Sequence, residues 1–258
     1  MTMLRSIYGV YVTAGILTLS SLMAHGADKL GAAADAQERA RFEMVCGVEP
    51  ATIVLAKSEH PGVLAAAKDL QRDVTKITGV TPNIVYSLDA CGDVCVVLGS
   101  ADCPDGKKLL ASVGVSTEDL DGKWETFKYR VLNGVGGKRQ VLAIAGSNVR
   151  GAIFGIYDFE QKHMGVDPLW FWADHEPPTQ GELIFDDSVD FGPTKEPTWK
   201  YRGWTLNDHP QFIEWMESGL VQRARYGRYM FAIHPEVFAR LHEAALRLKM
   251  NMFTWYFI

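Results

Sequence analysis

The sequence holds no Asn-x-Ser/Thr sequon, no run of five like charges and no G-x-x-x-x-G-K-[ST] phosphate loop. Each absence removes something. Without a sequon, N-glycosylation offers no mark of secretion. Without a charge block, a charged tail is not indicated. Cysteine is sparse, at four residues, and Cys91 and Cys95 lack the second closely spaced Cys or His pair that a structural zinc site needs. The formal net charge is -5, which gives no support for a nucleic-acid partner, since that normally needs a basic face. No motif calls for a cofactor, so none is expected, and no metal either. What is present is an ordinary globular composition, 47% hydrophobic and 22% charged, over 258 residues that allow two domains or one large one.

The N-terminus departs from that average. Arg5 supplies one positive charge, an uncharged apolar run follows from Ile7 to Met23, and Ala24-His25-Gly26 places small residues where a signal peptidase would cut. A signal peptide over residues 1–26 and a secreted product are the expectation. The alternative is a membrane anchor formed by residues 7–23, at the lower limit of length for spanning a bilayer. With the signal cleaved, no stable membrane association is expected. In an oxidising compartment Cys46, Cys91, Cys95 and Cys103 allow three pairings. Cys95 lies in the strand-like run Val94 to Leu98, where a buried free thiol fits equally well.

Residues 27–45 read as a linker, and a strand–helix alternation follows. Thr52 to Ala56 is a continuous, largely β-branched run, as expected of a strand buried on both faces. Pro61 opens a helix with Leu64, Ala67, Leu70, Val74 and Ile77 at three- and four-residue steps, and Gly79 closes it. Asn83 to Tyr86 and Val94 to Leu98 give two further strands, and a short helix is expected around Lys107 to Val113. Thr126 to Leu132 and Gln140 to Ala145 form a hairpin across Asn133-Gly-Val-Gly-Gly137, whose glycines supply positive φ rather than a phosphate cradle. Ser147 or Asn148 then caps a helix reaching about His163. The sum is an α/β domain over residues 46–190, with parallel pairing from the alternation and a mixed sheet because of the hairpin.

Pro193-Thr-Lys-Glu-Pro197 is rich in breakers and marks a boundary. Beyond it, Tyr201 to Leu206 reads as a strand. Phe238, Leu241, Ala245 and Leu248 read as one helix face, and Asn251 to Phe257 as a second strand. Strand, helix, strand is the repeat of a (β/α)8 barrel, and residues 198–258 are its first unit. A whole barrel typically needs about 250 residues, so the one expected here is incomplete, and its open edges would invite aggregation.

Four segments resemble a known pattern in the right order. Gly146-Ser-Asn-Val-Arg-Gly-Ala-Ile-Phe-Gly-Ile-Tyr157 is similar to a helix start that precedes the barrel in several glycoside hydrolases. Val166-Asp-Pro-Leu-Trp-Phe-Trp-Ala-Asp174 is similar to an aromatic Trp-Trp-Ala-Asp segment. Lys200-Tyr-Arg-Gly-Trp-Thr-Leu-Asn-Asp208 resembles a Tyr-Arg-Gly-x-x-x-Asn-Asp-Glu segment, and Leu246-Arg-Leu-Lys-Met-Asn251 the approach to a second barrel strand. Together they resemble glycoside hydrolase family 115, the xylan α-glucuronidases, over residues 52–258. The resemblance implies an inverting hydrolase that removes glucuronic acid or its 4-O-methyl ether from xylan branches, with glucuronoxylan or a related polysaccharide as partner. It also implies a much longer polypeptide. His209 departs from the pattern, standing where the family has an acid.

Inverting hydrolysis needs two carboxyl groups about 6.5–9.5 Å apart, one to protonate the leaving group and one to activate water. Barrel chemistry sits at strand C-terminal ends, which singles out Asn207, Asp208, His209 and Trp255 as candidate substrate-binding residues. Asp208 reads equally as an Asn-Asp turn or helix cap, and Trp255 as core packing. Trp170 and Trp172 read as the wall of a carbohydrate cleft or, in preference, as domain-interface packing; Arg150 reads as a carboxylate pair ahead of a sugar contact, and Arg202 as a structural ion partner ahead of a contact to the substrate's uronate. The general acid and base are expected beyond Ile258, so this chain alone is expected to be inactive. The alternatives are a non-catalytic carbohydrate-binding or interaction module, and a nonfunctional fragment.

Overall fold

The computed structural model describes residues 40–207 and 235–256. The first strands are β1 (Arg41–Cys46), β2 (Glu49–Pro50) and β3 (Thr52–Leu55). Ile53, Val54 and Leu55 are all buried, as a two-faced strand requires. Helix α1 (Pro61–Thr78) starts at Pro61, with the His60 side chain accepting from the Gly62 amide, and ends at Gly79, whose N–H reaches the Thr75 carbonyl. Its buried stripe includes Ala67, Leu70, Val74 and Ile77, and also Asp73.

Strands β4 (Ile84–Val85) and β5 (Val94–Ser100) lead to α2 (Pro104–Ser112). Strands β6 (Phe127–Val135) and β7 (Lys138–Gly146) then form the hairpin. It is longer than the sequence suggested. The pairing runs to Val135↔Lys138, so only Gly136 and Gly137 turn, both at positive φ, as a two-residue primed turn demands. Helix α3 (Val149–His163) follows, capped by the Asn148 side chain on the Gly151 amide. A Cβ on Gly146 would fall 1.9 Å from the Ala152 nitrogen, so the start of the motif at Gly146 is a close crossing of helix over strand.

These elements form a five-stranded sheet of order β4-β3-β5-β7-β6, parallel except for β6. Leu110, Val113, Val115 and Leu120 cover one face through Val54, Val97, Val141 and Ala143. The other face is covered by α1 and α3, with Ile144 beneath Gly155. A second, antiparallel sheet of order β2-β1-β8 joins β1 to β8 (Leu183–Asp186). Arg41–Cys46 is therefore a paired strand, not the tail of a linker ending at residue 45. Phe42, Met44 and Val45 are buried, which makes this segment part of the domain core. The breaker-rich stretch is also tied down, because Thr194 N–H donates to Phe127 O at 2.9 Å and the Glu196 carboxylate accepts from Trp124 N–H at 2.8 Å.

Cys91 and Cys95 are joined as a disulfide, while Cys46 and Cys103 are free. Among the three pairings open to the sequence, this excludes a bond from either cysteine to Cys46 or Cys103. No described helix is long and apolar enough to cross a membrane. The segments 1–26 and 7–23 lie outside the described residues.

Beyond the domain, β9 (Gly203–Asn207), α4 (Pro235–Arg247) and β10 (Met252–Tyr256) form the strand–helix–strand unit. Strands β9 and β10 pair in parallel. The helix buries Val237, Leu241, Ala244 and Ala245, with Glu243 and Arg247 between them. Phe238 and Leu248, expected on the same face, are each more than a third exposed. The stripe is rotated because the polar pair at Glu243 and Arg247 takes the inner position.

Candidate functional site

The parallel register aligns Trp255 with Leu206 and Tyr256 with Asn207, so both strands of the unit end at one level. A Cβ on Gly203 would come within 1.8 Å of the Met252 carbonyl, so only glycine allows this pairing at its start. The backbone thus brings Asn207 and Trp255 to the same C-terminal edge, the edge where barrel enzymes assemble their sites. Asp208 and His209 lie outside the described residues.

Two ionic nodes hold this unit against the α/β domain. The first centres on Glu125, whose side chain is fully buried and whose φ is 53°. Its carboxylate accepts from Arg150 of α3, from Arg202 just before β9, and from the Asn251 amide just before β10, at 3.0 Å for the last. Asn251 also accepts from the Arg202 amide at 3.0 Å and donates to Lys200 O at 2.9 Å. Arg202 caps the loop before β10 by donating to Lys249 O at 2.9 Å. Burial pushes Glu125 up, but hydrogen bonds from Asn251, Arg202 and Arg150 outweigh it and hold the carboxyl below its ordinary value. Arg150 and Arg202 both take the ion-pairing roles the sequence suggested, on one shared carboxylate.

The second node lies under α4. Arg247, 2% exposed, donates to Asp73 of α1, to Glu160 of α3 at 2.6 Å and to Glu243 at 2.9 Å. Its guanidinium also sits 4.5 Å from the Tyr157 ring centroid. Arg72 reaches Glu243 at 2.7 Å, Asp73 at 2.8 Å and Asp69 at 2.8 Å, and Arg240 reaches Glu243 at 2.6 Å. Tyr157 donates to Asp69 at 2.6 Å, and the Trp170 indole N–H to Glu243 at 3.4 Å.

Burial raises Glu160 well above the ordinary carboxylate range, against the pull of Arg247 and with the help of Asp73. Glu243 is also pushed up by burial, yet Arg72 and Arg247 bring it down to about 2. Four carboxyl groups, those of Asp69, Asp73, Glu160 and Glu243, thus face the three guanidinium groups of Arg72, Arg240 and Arg247. Trp170 is 5% exposed and lies under the cations of Arg72, Lys76 and Arg240, which is interface packing, as the sequence suggested.

Sequence reasoning missed Glu125, Asp73, Glu160 and Glu243. For Asp73, Glu160 and Glu243 the signal was an acidic residue on an otherwise apolar helix face, which reads as solvated surface until a partner is known, and Glu125, in a loop, gave none. Among the described residues no cluster of His, Cys, Asp and Glu could hold a metal ion.

The described residues therefore form a mixed-sheet α/β domain followed by the opening unit of a (β/α)8 barrel, with no closed barrel among them. No protein-family model matches the chain, and no curated protein matches it by sequence. A solved glycoside hydrolase family 115 4-O-methyl-α-glucuronidase, with specificity for decorated arabinogalactans, aligns with a TM-score of 0.66 at 24% identity. The alignment covers 83% of this chain and 26% of that one, so the chain spans about a quarter of that protein's length. The likeness shows the fold, and it falls in the family that the sequence motifs resemble. A second structure, CpGH84D, aligns at 14% identity over 79% of this chain and 33% of its own, with a TM-score of 0.38, and nothing is drawn from it.

Proposed function

We propose that this chain is the N-terminal portion of a secreted glycoside hydrolase that removes glucuronic acid, or its 4-O-methyl ether, from a branched polysaccharide by inversion. The observation that carries this reading is the parallel pairing of β9 and β10, which ends Asn207 and Tyr256 side by side on a unit fixed to the α/β domain. The family 115 likeness in fold supports it. Asn207, Asp208, His209 and Trp255 contribute to sugar binding at this edge. The general acid and base come from later strand ends, so the chain alone is inactive. Glucuronoxylan is the substrate class proposed, with decorated arabinogalactan as the comparison. Residues 1–26 direct secretion and are removed.

The test is uronic acid release by this chain and by a polypeptide extended through the downstream coding sequence. The extended protein is expected to release uronic acid with inverted anomeric configuration, and the chain alone to release none. Asp208→Ala in the extended protein should lower kcat/KM at least about tenfold while leaving its thermal unfolding unchanged. Absence of release from both polysaccharides by the extended protein overturns the reading. N-terminal sequencing of the exported product should begin at Ala27, and an intact Met1 in the membrane fraction would favour the anchor instead.

A further inference from the structure

The five-stranded sheet contains a topological switch point of its own. Strand β3 passes into α1 on one face, while its neighbour β5 passes into α2 on the other. The connections diverge at the C-terminal ends of the two strands, where open α/β sheets place their ligands. A cavity of about 560 Å³ opens there, within the range of small-molecule sites. Its wall is formed by Lys57 and Ser58 after β3, Tyr86 after β4, and Asp105, Lys108 and Leu109 of α2.

The crevice is fixed before any ligand arrives. The buried Glu59 carboxylate accepts from Ser100 Oγ at 2.7 Å and from the Ser100 amide at 3.2 Å, tying the loop after β3 to the end of β5. Ser58 Oγ donates to Asp105 at 2.7 Å, which ties the same loop to α2. By contrast, Tyr86 is 49% exposed and has no hydrogen-bond or ring partner among the described residues. Lys57 is exposed and has none either. Among the described residues Lys108 pairs with Asp105 alone, at 3.2 Å.

We propose that this crevice binds a sugar unit carrying one carboxylate. The Tyr86 ring offers a flat apolar face for the C–H side of a pyranose, leaving its hydroxyls to Ser58 and Asp105. Lys57 and Lys108 supply the cations for the carboxylate. Asp105 occupies the first turn of α2, where it opposes the helix dipole's attraction for a doubly charged phosphate. A single charge held by flexible lysines fits this wall better than a phosphate seated on the helix. The site is formed by residues other than the strand ends of β9 and β10, and it holds whether or not the chain belongs to a hydrolase.

Calorimetric titration of the whole chain with sodium glucuronate, glucose 1-phosphate and glucose tests this. Glucuronate is expected to bind saturably, with glucose and glucose 1-phosphate each about tenfold weaker, a difference of about 1.4 kcal/mol. Tyr86→Ala and Lys57→Gln should each weaken glucuronate about tenfold, and circular dichroism should show both variants folded, since neither side chain has a partner to lose. Absence of saturable glucuronate binding overturns the proposal. So does binding that survives Tyr86→Ala unchanged, or glucose 1-phosphate binding as tightly as glucuronate. A site at the β9 and β10 strand ends would not respond to Tyr86, so failure here leaves the hydrolase reading to its own test.

Discussion

Two regions of this molecule are closed in opposite ways. Under α2, the sheet is sealed by Leu110, Val113, Val115 and Leu120 on Val54, Val97 and Val141, with no charged side chain in the cluster. Under α4, the seam with the same domain is closed by Arg247, Asp73, Glu160 and Glu243, with Leu241, Ala244 and Ala245 buried on the same helix and the Tyr157 and Trp170 rings against the charges. Apolar burial is non-directional and tolerates small shifts, whereas a fully buried guanidinium works only in one geometry. The α/β domain is thus stabilised by surface removed from water, and the barrel unit is held in register by matched charge. Removing one buried partner leaves its neighbours short of counter-charge away from water, which is costlier than the net value of the bonds themselves.

Arg247→Ala should give the largest effect, about 3–5 kcal/mol, because Asp73, Glu160 and Glu243 lose their common partner. The loss should be local. Hydrogen exchange is expected to rise in α4 and β10 while β3, β5 and β7 stay protected, and uniform loss across the sheet would erase the distinction between the regions. Leu110→Ala should destabilise by about 3 kcal/mol through a cavity in the apolar cluster, read as a lower denaturant midpoint for the sheet as a whole.

Glu243→Gln is next, at about 1–3 kcal/mol near neutral pH. The sign with pH follows from a folded value of about 2, well below the roughly 4.3 of an unfolded glutamate. Its stabilisation is present above about pH 4.3 and is lost as pH falls toward 2, so the variant should close the gap with the parent protein in acid. Denaturation midpoints from pH 3 to 7 would check this, and a constant gap would exclude the ionic account of the seam. Glu160 runs the other way. Its raised value removes stability as pH climbs above about 4.3, and it tempers the acid limb. Lys107→Ala, which breaks an exposed pair with Asp121, should change stability by less than about 0.5 kcal/mol, the baseline against which the buried charges stand out.

Legibility from the sequence divides along the same line. The stripe of α1, its Pro61 start and its Gly79 end could be read directly, since apolar spacing and capping are local signals. So could the hairpin, though its strands run closer to the turn than the loop glycines suggested. The sheet of β1 and β8 could not, because Phe42 and Phe185 are adjacent only through pairing across more than a hundred residues. The same holds for the seam. Asp73 lies on α1, Glu160 on α3 and Arg247 on α4, and nothing in their local sequence announces a shared partner. At the candidate site, the C-terminal edge of β9 and β10 was legible from the strand–helix–strand pattern. The carboxylate beneath it, Glu125, was not, because it sits in a loop and meets Asn251 from the far side of the chain.

Glu125 has a practical consequence. Anyone dividing this polypeptide would choose the prolines at 193 and 197, yet a cut there strands Arg150 on one piece and Arg202 and Asn251 on the other, with their common anion kept by the first. The halves are not interchangeable cassettes. A foreign barrel grafted behind this domain would have to bring its own arginine and asparagine to that one oxygen pair, or arrive without a seat.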